Sequence, residues 1–126
     1  MTDEKKRILL VEDDRFLRRA CEASLTQRGF LVTSANDGEE GLRLAQSESF
    51  DLILLDLLMP KKPGIEVLAE LRAAGPPKAD IPVLILSNSS RDEDKRRAVA
   101  LGAVGYYVKA NLSLKALGDE IDRLLS

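Results

Sequence analysis

Five short apolar runs punctuate the chain, and each is followed by a longer stretch in which apolar residues return every three or four positions. The runs Arg7–Glu12, Phe30–Ser34, Asp51–Asp56, Ile81–Ser87 and Val104–Lys109 predict strands β1 to β5. The stretches Asp14–Arg28, Gly38–Ser47, Ile65–Ala73, Arg91–Leu101 and Ser113–Leu125 predict helices α1 to α5. A βα unit repeated five times implies an α/β fold, a three-layer αβα sandwich around a doubly wound, five-stranded parallel sheet. The expected strand order is 2-1-3-4-5.

Punctuation between the elements agrees with this reading. Gly29 and Gly102 stand where α1 and α4 should end, and Ser90-Arg91-Asp92-Glu93 has the form of a capping box opening α4. The run Arg91–Arg97 starts acidic and turns basic, which suits the helix macrodipole and predicts a solvated face. Gly75-Pro76-Pro77 predicts a rigid loop before β4. Gly118 costs about 1 kcal/mol inside a helix relative to alanine, so close packing is expected there.

Composition narrows the chemistry. The 126 residues suit one domain, with a core over about 7–125 and a mobile tail over 1–6. Nineteen basic against 21 acidic residues, with no long basic tract, argue against direct nucleic-acid binding. No segment has the form of a signal peptide or is apolar for long enough to insert in a membrane, so a cytoplasmic location is expected. The single cysteine, Cys21, falls in an apolar helix stripe and reads as a small buried hydrophobe. With no histidine in the chain, imidazole acid–base chemistry and histidine metal sites are excluded, leaving carboxylates, hydroxyls and amines.

Those groups concentrate at strand ends. β1 empties into Glu12-Asp13-Asp14, β3 ends at Asp56, β4 at the hydroxyl of Ser87 and β5 at the amine of Lys109. In a doubly wound sheet the carboxyl ends of β1 and β3 flank the point where strand order reverses, so Glu12, Asp13 and Asp56 should converge. Two carboxylates about 5 Å apart repel by about 3 kcal/mol at an effective dielectric of about 20, which calls for a cation. Mg2+ is the natural answer, because it takes hard oxygen ligands and commonly uses one or two carboxylates with a phosphate. Acid, hydroxyl and amine together describe a phosphoryl-transfer site with a carboxylate nucleophile.

At these residues the chain resembles the receiver domains of two-component response regulators, the CheY-like, flavodoxin-like fold. The resemblance runs from about Arg7 to Leu125 and includes the pattern Asp-x-x-Met-Pro-x-x-x-Gly at Asp56, Met59, Pro60 and Gly64. It implies that Asp56 accepts a phosphoryl group from a histidine kinase or histidine phosphotransfer protein. It implies Mg2+ held by Asp13, Asp56 and the backbone carbonyl of Leu58, with Glu12 acting through water. Lys109 would pair with Asp56 and then with the phosphate. Ser87 would move inward, and Tyr106 would turn from exposed to buried, altering the α4–β5–α5 face for a downstream protein target or a homodimer. Such a chain is a signalling phosphoacceptor, not an enzyme beyond its own phosphorylation and dephosphorylation. Tyr107 points the other way and is expected in the core.

The chain also departs from the family pattern. Ala110 stands where receivers generally carry a cis-proline, and a cis bond without proline costs about 3 kcal/mol. The α5 stripe of Leu114, Leu117, Ile121 and Leu124 starts late, so a lengthened β5–α5 connection and an altered hold on Lys109 are expected. Asn88 is expected to crowd the phosphate entrance, while Leu58 cannot orient water and favours a persistent aspartyl phosphate. Haloacid-dehalogenase and toprim-type enzymes would want Asp-x-Asp, and a flavodoxin-like cofactor binder would want a phosphate loop after β1 where this chain has acids. The remaining alternative is an interaction-only adaptor receiver.

Overall fold

The computed structural model describes residues 5–126; residues 1–4 of the expected tail lie outside the described residues. β1 (Arg7–Val11), β2 (Leu31–Ala35), β3 (Leu52–Asp56), β4 (Val83–Ser87) and β5 (Gly105–Val108) form one parallel sheet in the order 2-1-3-4-5. The helices are α1 (Arg15–Gln27), α2 (Gly38–Ser47), α3 (Gly64–Ala73), α4 (Asp92–Ala100) and α5 (Leu114–Leu125). The sequence reading places every one of these elements within two residues of its observed bounds. It does not foresee two short 3-10 turns, Lys78–Asp80 and Lys109–Asn111.

Strand periodicity divides the core into two layers. Leu9, Val11, Ile53, Leu55, Val83 and Ile85 face α2, α3 and α4, whereas Ile8, Leu10, Leu52, Leu54, Leu84 and Leu86 face Cys21 and Leu25 of α1 and Leu117 and Ile121 of α5. The three central strands are covered on both sides, which is why they read as unbroken apolar runs. Cys21 is fully buried, and burial pushes its thiol up to about 11, with the charge of Glu12 adding to the effect. It is the inert hydrophobe the stripe predicts. Tyr107 is half-buried against the α1 and α5 layer, less enclosed than expected.

Local signals have identifiable causes. Asp14 caps α1 by accepting from the Phe16 and Leu17 amides, and Asp37 caps α2 by accepting from Glu40. Gly29 and Gly102 follow α1 and α4 at φ of +98° and +81°, the left-handed conformation that ends helices. At Gly118 an added Cβ would lie 2.2 Å from Arg28 Nε, and that guanidinium crosses the glycine to reach Asp119 and Asp122. The expected close packing is therefore the seat of an α1–α5 clasp.

One expectation fails. The Ser90–Glu93 capping box does not form: Arg91 occupies the N-cap position of α4 with no side-chain capping bond, and Ser90 is exposed. The hydroxyl that engages the helix is that of Ser89, which donates to Asp94. The helix begins one residue later than a box at Ser90 requires, so its third residue is Asp94 and not Glu93.

Candidate functional site at the carboxyl rim of the sheet

Because β1, β3, β4 and β5 run parallel, their terminal residues share one rim. Glu12 continues β1 through a bond from its amide to the Ala35 carbonyl at 3.0 Å, and its side chain is fully buried. Asp56 closes β3 and is 2% exposed; Ser87 closes β4 and is fully buried. Lys109 follows β5, and its Nζ donates to Glu12 Oε2 at 2.8 Å and to Asp56 Oδ2 at 2.9 Å. Asp13 is exposed beside them, and oxygens of Glu12, Asp13 and Asp56 lie within 4.8 Å of one another. The convergence expected from strand order is what the backbone delivers.

The expectation of an altered hold on Lys109 is corrected at the side chain, which reaches both acids. Among the described residues the only cis peptide is Pro76-Pro77, so Lys109-Ala110 is trans. The chain leaves β5 through the 3-10 turn Lys109–Asn111 before α5 begins. The long alkyl stem carries the ammonium to both acids from this trans backbone.

Electrostatics at the rim are unbalanced. Burial pushes the Asp56 carboxyl up to about 7; the Lys109 hydrogen bond pulls it down, and the Glu12 charge pushes it up again. Burial works against the Lys109 charge, but the hydrogen bonds to Glu12 and Asp56 outweigh it and raise the amine above its ordinary value. Three carboxylates thus face one ammonium. Among the described residues Glu12 Oε1 is buried without any hydrogen-bond partner, an arrangement that costs free energy unless a ligand meets it. Hard oxygen donors, close spacing and an orphaned buried oxygen fit a small divalent cation such as Mg2+.

Neighbouring backbone shapes the pocket. Asp56 Oδ1 accepts from the Leu58 amide at 3.2 Å, while the Leu58 side chain is 63% exposed at the mouth. An added Cβ on Gly64 would stand 2.0 Å from the Asp56 carbonyl oxygen, so the loop returning from Asp56 to α3 closes only over glycine. That contact is the physical content of the glycine eight residues after Asp56. Arg18 was not singled out by the sequence reading; its guanidinium donates to the carbonyls of Glu12 at 3.0 Å and Asp13 at 3.5 Å and fixes the β1–α1 loop. Its place five residues after Asp13, within α1, is the signal that could have found it.

On the other side, Ser87 Oγ accepts from the Ser89 amide at 3.0 Å, which leaves the Ser87 proton uncommitted. Tyr106 is half-buried against the α2–α4 core layer, and its hydroxyl donates to the Ser89 carbonyl at 2.9 Å. Asn88 is exposed.

The chain is similar to known proteins over most of its length. The family model described as "Response regulator receiver domain" matches residues 8–121. The gliding motility regulatory protein of Myxococcus xanthus is 43% identical over 122 residues, which are 96% of this chain and 15% of that protein. The cell cycle transcriptional regulator CtrA of Caulobacter vibrioides is 43% identical over 103 residues, 82% of this chain and 43% of that protein. The chain therefore spans less than half the length of these relatives. The response regulator protein TrrA of Thermotoga maritima, solved in complex with Mg(2+)-BeF, superposes with a TM-score of 0.83 at 32% identity, covering 95% of this chain and 99% of that one. Among the described residues no helix is long and apolar enough to cross a membrane. With strand order, rim chemistry and a family match over nearly the whole length in agreement, the chain belongs to the response regulator receiver domains.

Proposed function

We propose that the chain is the phosphoacceptor of a two-component or phosphorelay system, and that Asp56 takes its phosphoryl group from a phosphohistidine on a histidine kinase or histidine phosphotransfer protein. The observation that carries this reading is the pairing of the Asp56 carboxylate with Lys109 inside a cluster of acids that a divalent cation fits. An Asp56 oxygen forms the new bond to phosphorus as the phosphorus–nitrogen bond of the donor breaks, and the imidazole leaves with the electron pair. Lys109 exchanges its Asp56 contact for a phosphoryl oxygen, and the free Ser87 proton is donated to another.

Glu12, Asp13, Asp56 and the Leu58 carbonyl are the groups that would hold Mg2+; three of them cluster here, and the similar protein TrrA was solved in complex with Mg(2+)-BeF. A bound Mg2+ supplies positive charge to the phosphoryl oxygens. Exposed Phe16 and Leu58 offer apolar surface beside the pocket for the donor. Reorganisation of Ser87 and Tyr106 then changes the α4–β5–α5 face read by a downstream protein. In the transcriptional regulators YcbL and CtrA the matched part is 43% of the protein, so a nucleic-acid output there belongs to the whole protein.

Incubation with Mg2+ and acetyl phosphate tests the reading. The expected result is an intact-mass gain of one phosphoryl group, lost in Asp56→Asn. No gain in the wild type, under conditions that label another receiver, would leave the adaptor role in its place.

A further inference from the structure

We propose that Asp94 is a positioning residue for the Tyr106 switch: by holding the Ser89 hydroxyl it fixes the β4–α4 loop with the Ser89 carbonyl turned to the tyrosine. The proposal rests on the phosphoacceptor reading for the role of Tyr106, and it adds a residue of α4 that the receiver signature does not contain.

Every polar atom of Ser89 is engaged. Its amide donates to Ser87 Oγ at 3.0 Å, and its carbonyl accepts from the Tyr106 hydroxyl at 2.9 Å. Its hydroxyl donates to Asp94 Oδ2 and accepts from the Arg91 amide at 3.2 Å. One loop residue thus joins the hydroxyl at the end of β4, the tyrosine of β5 and the first turn of α4. Of the four partners, Asp94 is the one whose side chain comes from within α4.

Asp94 is the third residue of α4, so the helix backbone holds its position while Ser89 lies in irregular chain. The next residue reinforces it: Lys95 Nζ lies 5.9 Å from the centroid of the Tyr106 ring, on the same side chain whose hydroxyl Ser89 receives. The first turn of α4 therefore grips the tyrosine at two points, directly at the ring and through Ser89 at the hydroxyl. When Ser87 shifts towards a phosphoryl oxygen it draws on the Ser89 amide. With the Ser89 hydroxyl anchored on Asp94, that pull is delivered to the carbonyl that holds Tyr106.

Fluorine NMR of protein containing 3-fluorotyrosine reads the switch directly, with Tyr107→Phe used to assign the Tyr106 signal. The inward and outward ring populations are measured with Mg2+ alone and with Mg2+ and beryllofluoride, in the wild type, Asp94→Ala, Asp94→Asn, Ser89→Ala and the Asp94→Ala, Ser89→Ala double variant. Losing one side-chain hydrogen bond should lower the inward-to-outward ratio about three- to tenfold in Asp94→Ala. Asp94→Asn loses the charge at the helix terminus but keeps an oxygen that accepts from Ser89, so its ratio should stay within about twofold of the wild type. Ser89→Ala should match Asp94→Ala, and the double variant should fall no further. An unchanged ratio in Asp94→Ala would overturn the proposal, as would an Asp94→Asn effect as large as that of alanine. If beryllofluoride perturbs nothing in the wild type while the Asp94→Ala effect persists, the phosphoacceptor reading fails and the positioning role of Asp94 stands.

Discussion

Two cations sit near opposite ends of the sheet, and the difference in what each donates to separates structure from function. Near the amino ends of β4 and β5, Arg72 of α3 donates to four backbone carbonyls: Ala79 at 2.9 Å, Ile81 at 2.8 Å, Leu101 at 2.8 Å and Gly102 at 3.0 Å. At the carboxyl ends, Lys109 donates to two buried carboxylates. Carbonyl dipoles satisfy a guanidinium without adding charge, so the Arg72 clamp is complete in itself. The Lys109 cluster is incomplete: acids outnumber the amine, one Glu12 oxygen has no partner among the described residues, and burial pushes the Asp56 carboxyl up to about 7. A finished set of hydrogen bonds fastens loops, whereas an unfinished one waits for a ligand.

Breaking the clamp should have the largest effect on stability. Arg72→Ala removes all four bonds and leaves half-buried carbonyls to find water, so a loss of about 2 to 4 kcal/mol is expected in urea unfolding. Arg72→Lys should recover only part of it, because one ammonium cannot span four carbonyls in two loops. Phosphoryl uptake should survive both substitutions, since the clamp lies away from Asp56.

The acid rim should behave oppositely. Without divalent cation, Asp56 protonates at about 7 in the folded chain and near about 3.9 when unfolded, so between those values the folded state holds more protons. Stability therefore falls as pH rises through that window. Asp56→Asn removes the dependence and should be more stable than the wild type by about 1 to 3 kcal/mol at about pH 8, in unfolding measured with chelator present. The raised Lys109 amine contributes stability at all pH below its unfolded value, lost only as pH climbs through the folded one, so it does not mask this window. An Asp56→Asn variant less stable than the wild type at that pH would mean that the rim is balanced after all.

Smaller effects sharpen the contrast. Leu58 stands exposed beside Asp56 with no group to orient water, so Leu58→Asn should speed loss of the phosphoryl group about threefold or more, about 0.7 kcal/mol at the barrier, read by intact mass over time. At Gly118 helix propensity favours alanine by about 1 kcal/mol, while the new Cβ must displace the Arg28 side chain. Gly118→Ala sets that gain against the Arg28 pairs with Asp119 and Asp122, so its net effect in thermal unfolding should stay within about 1 kcal/mol of zero.

The contrast between the two cations also marks what the sequence could show. β1, β3 and β4 are legible because strands buried on both faces must be apolar throughout, and Glu12, Asp56 and Ser87 stand out because each breaks such a run. Lys109 is legible because a charge ends the apolar run of the half-buried edge strand β5, although its route is not: the 3-10 turn Lys109–Asn111 has no motif to announce it. Arg72 carries no signal at all, since its partners are carbonyls that any residue supplies. The Ser89–Asp94 bond is hidden by a one-residue ambiguity, because Ser89 and Ser90 are both serines and three consecutive acids open α4. Periodicity locates elements and strand ends; it does not reveal which of several adjacent polar groups will pair.

A titration with Mn2+, a paramagnetic substitute for Mg2+, followed by amide NMR, tests the unfinished charge at the rim most directly. Amides of Glu12, Asp13 and Asp56 to Leu58 should broaden first, those of Arg72, Leu101 and Gly102 should be untouched, and Asp13→Asn should weaken the effect about tenfold or more. Broadening that begins at the acidic surfaces Asp92–Asp94 or Asp119–Asp122, with the rim unaffected, would contradict the account.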